Sequence, residues 1–396
     1  MKLFNLYLCA ILSIHVHAAN SLPQIASSYS TAKEWLYSKI YNEHNKTFYC
    51  RCDFNKDKEI DLTSCNVTPR QNPELARKTE VEHVVPAAHF GKHRECWIKE
   101  YCSDGKGTGG RKCCQRIDFE FNKIYNDLHN LYPVIGEINR HRSNYSWNEI
   151  DGEKREYGSC DIEIDSNLKV AEPPEYVRGD IARTYFYLEQ TYNIPLSEEA
   201  QLIESQRQLF TKWSKNDPVD AWEWKRNKRI KVTQSNDNPF IILPTLDPAY
   251  AIDATTGNYV DTNAKMTGGI DVNGMGYKQQ VIQNLSGEVN VTGNIIVDPA
   301  HIGQIADILV VVKTIFLQSP QVYYMLDEDT NIPIWDQTLA HLVAFKSKVK
   351  LETTQEVPIY QGTFDFLGTL EVYFGYRLFT GIIVFNGQPI DIRIIN

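Results

Sequence analysis

Apolar positions recur at helical spacing in the first part of the chain and at strand spacing in the second. Over residues 28–43, Ala32, Trp35, Leu36 and Ile40 fall on one face of a 3.6-residue period, which predicts an amphipathic helix. The same spacing predicts helices over 118–130, 133–142, 179–191 and 197–214, the last with Leu202, Ile203, Leu209 and Phe210 on one face. Tyr132-Pro133 separates the first two of these, and Pro133 suits the first turn of a helix. Phe48 to Cys65 reads as a short cysteine-stapled region with turn residues Asn55-Lys-Asp57. Residues 79–85 read as a strand that stops at Pro86, which has no N–H for a ladder. After Asn238-Pro239 short β-branched runs alternate with Gly, Asn and Asp turns: Gly287–Gly293, Asp307–Lys313, Thr369–Gly375 and Gly381–Phe385. That is the pattern of an antiparallel sandwich, with one short helix expected over 337–345. The fold class is therefore α+β, a helix-rich domain followed by an all-β sandwich-like domain.

Length and charge sharpen this division. At about 150 residues per domain, a chain of 396 residues is expected to form two or three. Residues 1–19 carry one lysine, an apolar run and a small-residue end at Ala18-Ala19, which predicts a secretory signal peptide. The remaining boundaries are 20–239 and 240–396. Residues 20–239 hold 32 Lys+Arg against 34 Asp+Glu, whereas residues 240–396 hold 8 against 16. Any nucleic acid is thus expected in the first domain, despite a net charge of -9. No stretch is long and apolar enough for a membrane span.

Removing Cys9 with the signal leaves eight cysteines, all before residue 161. An even number in an exported chain favours disulfides over zinc, because paired Cys-x-x-Cys spacing is missing. Cys102 and Cys113 bracket a Gly-rich loop over 103–112, and a bridge between them would pin its base. Trp213, Trp222 and Trp224 are expected to pack rather than stack on bases. The basic run Lys225–Lys231 reads as the solvated face of a terminal segment at least as readily as a phosphate contact.

The candidate chemistry lies in two stretches, Thr79–Gly91 and Asp127–Asn144. Cleaving a phosphodiester needs an activated water, an electrophile at the phosphate and help for the leaving oxygen. His83 suits the base, since imidazole titrates near neutral pH. Glu82 and Asn139 offer hard oxygen ligands, and magnesium takes few protein ligands while keeping waters. Arg111, after Gly109-Gly110, offers a planar fork for a phosphate oxygen. His89, His93 and His141 have no such company and read as ordinary polar residues. Nothing in 240–396 clusters His, Asp and Glu for chemistry, so that domain reads as an attachment or interaction module.

These residues sit in a series of islands: Glu82-His-Val-Val-Pro86, Cys96-Trp97, Gly109-Gly-Arg111, Asp127-Leu-His-Asn-Leu131, Gly136-Glu-Ile-Asn139, Arg142-Ser-Asn144 and Arg178-Gly-Asp-Ile-Ala-Arg-Thr-Tyr185. Tyr192, Trp213, Pro218-Val-Asp220 and Trp222-Glu223 continue them. With these islands in order, residues 28–239 resemble the bacterial endonuclease I family, secreted or periplasmic nucleases with a ββα-metal (His-Me finger) core. The resemblance implies His83 as general base, Glu82 and Asn139 as ligands of one Mg2+, and Arg111 on the phosphate. It also implies DNA, and RNA in some members, cut without sequence preference, which fits a site that grips backbone. A secreted or periplasmic monomer is expected.

Three departures from the family pattern stand out. Tyr125 occupies a position that commonly holds a site glutamate, and losing such an outer-shell group can weaken a metal. The loop from Ile98 to Thr108 is longer and adds Cys102 and Cys113. Trp224 stands where some members have a cysteine. Two other readings compete: a disabled nuclease fold that only binds nucleic acid, and a surface-binding protein acting through residues 240–396.

Overall fold

The structure is a computed structural model that describes residues 23–102, 109–152, 155–315 and 321–396. The expected signal over 1–19, and residues 103–108 of the expected loop, lie outside the described residues.

The first predicted helix is present as Tyr29–Trp35, continuing as a π-helical turn over Leu36–Ile40. Ser28 caps it, its hydroxyl oxygen accepting the Thr31 N–H at 3.1 Å. Its apolar face packs Ala32, Leu36 and Ile40 onto Leu128, Leu131 and Ile230. At the centre, strand Thr79–His83 pairs antiparallel with Leu131–Ile135, and helix Gly136–Arg142 follows directly. This corrects the expected helix over 133–142: Pro133 lies in a strand, opposite Val81. A two-stranded ribbon consists only of edges, so a residue without an N–H costs it little, and the Pro133 carbonyl accepts the Phe48 N–H at 2.8 Å. The expected helix over 118–130 is likewise divided into Phe119–Tyr125 and a 3₁₀ turn, Leu128–Asn130.

The Asp-Leu-His-Asn island proves to be scaffold. Asp127 accepts hydrogen bonds from Tyr187 and Tyr192 hydroxyls at 2.7 and 2.6 Å and from Gln234 at 2.8 Å, joining helices Arg178–Tyr192 and Ala221–Gln234. Asn130 exchanges two hydrogen bonds with the backbone of Val85, pinning the chain just past the strand. Helix Ile203–Asn216 completes the surround, with Phe210 and Trp213 buried. The run Lys225–Lys231 is not simply a solvated face. Arg226 is buried, lies 3.8 Å from the Tyr132 ring centre and donates to the carbonyls of Leu128 and Leu131.

All eight cysteines after residue 22 are paired, as Cys50–Cys160, Cys52–Cys65, Cys96–Cys114 and the expected Cys102–Cys113.

Each of the four β-branched runs forms part of a strand: Val289–Ile296, Ile305–Ile315, Gly368–Leu378 and Ile382–Asn386. A three-stranded sheet (Lys265–Val272, Val289–Ile296, Thr354–Gly362) packs against a nine-stranded one centred on Ile305–Ile315 and Gly368–Leu378. The shared core includes Met266, Val291 and Val357 from the first sheet and Val310, Val372 and Phe374 from the second. A side chain at Gly293 would strike the Phe374 ring, so glycine sets the spacing there. The large sheet is not wholly antiparallel, because Gln280–Asn284 pairs parallel with Ile390–Ile395. Over 337–345 the chain makes only a 3₁₀ turn, Leu339–His341. The Phe345 N–H reaches the Ile308 carbonyl at 2.8 Å and draws the chain into strand Lys346–Lys350.

The halves meet in a small cluster of Val219 and Trp224 with Ile241, Leu243 and Tyr277. Trp224 packs, as expected, and its indole N–H also donates to Glu356 at 3.0 Å. That side chain thus docks the β half.

Candidate active site

Strand Thr79–His83 delivers two adjacent residues, and the strand must end there for both to serve one site, since neighbours on a strand point oppositely. Arg142, fully buried, holds that end. Its guanidinium donates to Glu82 Oε1 and the His83 carbonyl at 3.0 Å each, and to the Val84 carbonyl at 2.7 Å. It stacks on Trp147, whose indole also donates to the Val84 carbonyl. Arg142 is therefore a brace behind the site.

His83 is buried, and its Nε2 lies 2.8 Å from the carbonyl oxygen of Tyr125. A carbonyl only accepts, so Nε2 carries the proton and Nδ1 keeps a lone pair. The ring is held between Tyr125, with centres 4.2 Å apart, and Tyr29, at 5.6 Å and 27° between planes. Burial lowers the imidazole pKa to about 3; the hydrogen bond to Tyr125 opposes this, and the positive charges of Arg111 and Arg142 add to it. The ring is neutral across the physiological range.

Glu82 is 3% exposed. Burial raises its pKa, offset in part by Arg142 and the Tyr49 hydroxyl. Tyr49 and Arg142 both take Oε1, at 2.8 and 3.0 Å, leaving Oε2 as the oxygen a cation would take. Asn139, on helix Gly136–Arg142, donates its amide N–H to Glu80 Oε2 at 2.9 Å. That bond orients the amide and leaves Oδ1 as its outward acceptor. Glu80 is itself fixed by Arg140 at 2.8 and 3.0 Å. Glu80 and Glu82 share a strand face by their spacing of two. Among the described residues no group of three or more His, Cys, Asp and Glu is arranged for a metal. Two oxygens, one from a carboxylate and one from an amide, suit a hard cation that retains waters.

Arg111 opens helix Arg111–Ile117, and the two glycines before it have separate reasons. A side chain at Gly109 would collide with the carbonyls of Cys96, Trp97 and Lys99, and Gly110 sits at φ 88°. Cys96–Cys114 and Cys102–Cys113 tie this helix down. Arg111 is exposed, and its charge acts on the Tyr125 hydroxyl.

All four sequence-predicted residues, Glu82, His83, Arg111 and Asn139, line one groove of about 800 Å3, together with Tyr29, Glu80 and Tyr125. His89 and His141 make ordinary contacts, with the Pro195 carbonyl and the Tyr157 hydroxyl. Sequence reasoning missed Tyr29 and Glu80. The Glu80/Glu82 alternation was a usable signal for the second. Tyr29, 54 positions from His83, offered none. Tyr125, expected to weaken a metal's outer shell, contributes its backbone carbonyl to orient the His83 imidazole.

The family profile for Endonuclease I matches residues 28–245. An extracellular deoxyribonuclease of Aeromonas hydrophila is 40% identical over 235 residues, 58% of this chain and 96% of the relative. A periplasmic deoxyribonuclease of the same organism is 39% identical over 222 residues, 55% and 86%. Endonuclease-1 of Buchnera aphidicola subsp. Acyrthosiphon pisum is 42% identical over 206 residues, 51% and 76%. Residues 246–396 lie outside the family match. With more than half of its length matched by that profile, this chain belongs to the endonuclease I family.

Proposed function

We propose that the protein is an exported, magnesium-dependent endonuclease whose ββα unit, strands Thr79–His83 and Leu131–Ile135 with helix Gly136–Arg142, serves as a His-Me finger. One observation carries this reading: His83 is buried, locked by the Tyr125 carbonyl, and presents an unprotonated Nδ1. Nδ1 takes a proton from a water as that water attacks phosphorus, and one P–O ester bond breaks. Arg111 grips a non-bridging phosphate oxygen through its fork. Glu82 and Asn139 would hold Mg2+, which supplies charge at the phosphate and at the departing oxygen. Arg142 and Glu80 keep those two ligands in place and do not touch the substrate.

DNA is the proposed substrate, in keeping with relatives named deoxyribonucleases. Backbone grip without base readout extends this to RNA. Relatives named extracellular and periplasmic, with four disulfides in this chain, support a secreted or periplasmic location. We take the working unit to be a monomer.

Plasmid cleavage tests the reading. The oxidised protein is expected to cut with Mg2+ and to stop in EDTA. His83→Ala is expected to lose about 10³-fold in rate, the order general-base catalysis supplies. Undiminished cutting by His83→Ala, or in EDTA, overturns it.

A further inference from the structure

The helix running from Tyr29 to Ile40 stands between two grooves. Lys33 lines the active-site groove, and Lys39 lines another, of about 790 Å3, along the seam between helix Ala221–Gln234 and the β half. Lys39, Lys225, Lys228 and Arg229 give the nuclease side of this seam its charge. Lys39 rests on the Trp35 ring at 4.6 Å and Lys228 on Trp224 at 4.3 Å, and neither makes an ion pair among the described residues, although the charges of Glu356 and Asp237 act on Lys228. Lys225 and Arg229 share one carboxylate, Glu43, whose side chain is 63% exposed. A ligand oxyanion would compete with that carboxylate for Lys225, while Arg229 also donates to the Ile40 carbonyl and to Asn42.

The opposite wall is the more telling. Residues 240–396 carry 16 Asp+Glu against 8 Lys+Arg, yet the seam sees only Glu356 among Tyr277, Asn290, Thr292, Pro358 and Gln361. One oxygen of that carboxylate is already taken by the Trp224 indole N–H. An acidic domain thus turns an almost uncharged, hydrogen-bonding face towards four cations.

We propose that the seam is a second phosphodiester-backbone site, holding the same nucleic acid several nucleotides from the bond being cut. A helix is about 10–12 Å across, and a strand of duplex advances about 3.4 Å per phosphate. The backbone therefore passes from one groove to the other within about three or four nucleotides. Contacts of this kind read no bases, add affinity for long substrates and make it salt-dependent.

This inference rests on the nuclease reading, and the two fail separately. Full-length His83→Ala protein is titrated with a labelled dinucleotide, too short to span both grooves, and with a labelled DNA duplex of about 30 base pairs across a salt series. The same protein carrying Lys39→Gln, Lys225→Gln and Lys228→Gln is compared with it. The triple change is expected to weaken the long duplex about tenfold, to lower the slope of log K against log salt by about 2 to 3, and to leave the dinucleotide unchanged. The Lys→Arg versions should restore binding. Equal loss on both lengths, or no loss on the long one, overturns the proposal. So does a triple variant that loses only binding to phosphatidylglycerol vesicles. If the unsubstituted protein cuts no DNA, the nuclease reading falls instead.

Discussion

The two halves of this chain are ordered by different means. The nuclease half buries Arg142, Arg183 and Arg226 completely, each donating to carboxylates or carbonyls, and adds four disulfides. The β half has no cysteine, and its main core is aliphatic with a few aromatics, packed between two sheets. Burying charge is a poor source of stability, because desolvation offsets the attraction. It does impose geometry, since a guanidinium with fixed partners tolerates only one arrangement of backbone. The half that carries the groove lined by Glu82, His83, Arg111 and Asn139 uses that device, and the other half relies on apolar packing.

The largest expected break in this contrast comes from Cys50→Ser with Cys160→Ser. The bridge spans 110 residues, and releasing a loop of that size costs about 5 kcal/mol. Urea unfolding followed by cleavage activity should shift strongly, while strand content in residues 246–396 should hold to the original midpoint. Equal shifts in both would make the halves one cooperative unit. The converse change is Phe374→Ala, which empties a buried site between the sheets at about 3 kcal/mol. Here the β half should unfold earlier with plasmid cleavage intact, and a matching fall in cleavage would break the contrast.

The smallest effect is electrostatic and confined to the nuclease half. Burial raises the Asp217 carboxyl to about 7, against the pull of Arg183 and the Gly179 N–H. The folded chain then keeps a proton that the unfolded chain releases near pH 4 or about there. That contribution is full below the unfolded pKa and is lost as pH rises through about 7. Melting temperature should therefore decline between those limits. Asp217→Asn, which still accepts from Gly179, should flatten the decline. An unchanged profile would remove Asp217 from the account.

The site was legible because its residues sit in short local motifs, each with a chemical reason. Glu82-His83 needs a strand end, Gly109-Gly110 needs two backbone permissions, and Asn139 needs one helical turn after the strand. What sequence could not give were contacts made over distance. Tyr29 reaches His83 only after the first helix packs on Leu128 and Leu131. The parallel pairing of Gln280–Asn284 with Ile390–Ile395 leaves no mark in either stretch. Pro133 misled because proline's commonest place in regular structure is a helix start, and a two-stranded ribbon is one of the few sheets that accepts it. The basic run misled in the same way: its second residue, Arg226, finds three buried partners that local composition does not announce.

The Cys50–Cys160 bridge closes a covalent ring around Glu82, His83, Arg111 and Asn139. In a medium that also contains proteases, a single nick anywhere within that ring merely opens it. Both new ends stay attached to the same molecule, so these four residues cannot drift apart by diffusion. The enzyme is built to outlast its first wound.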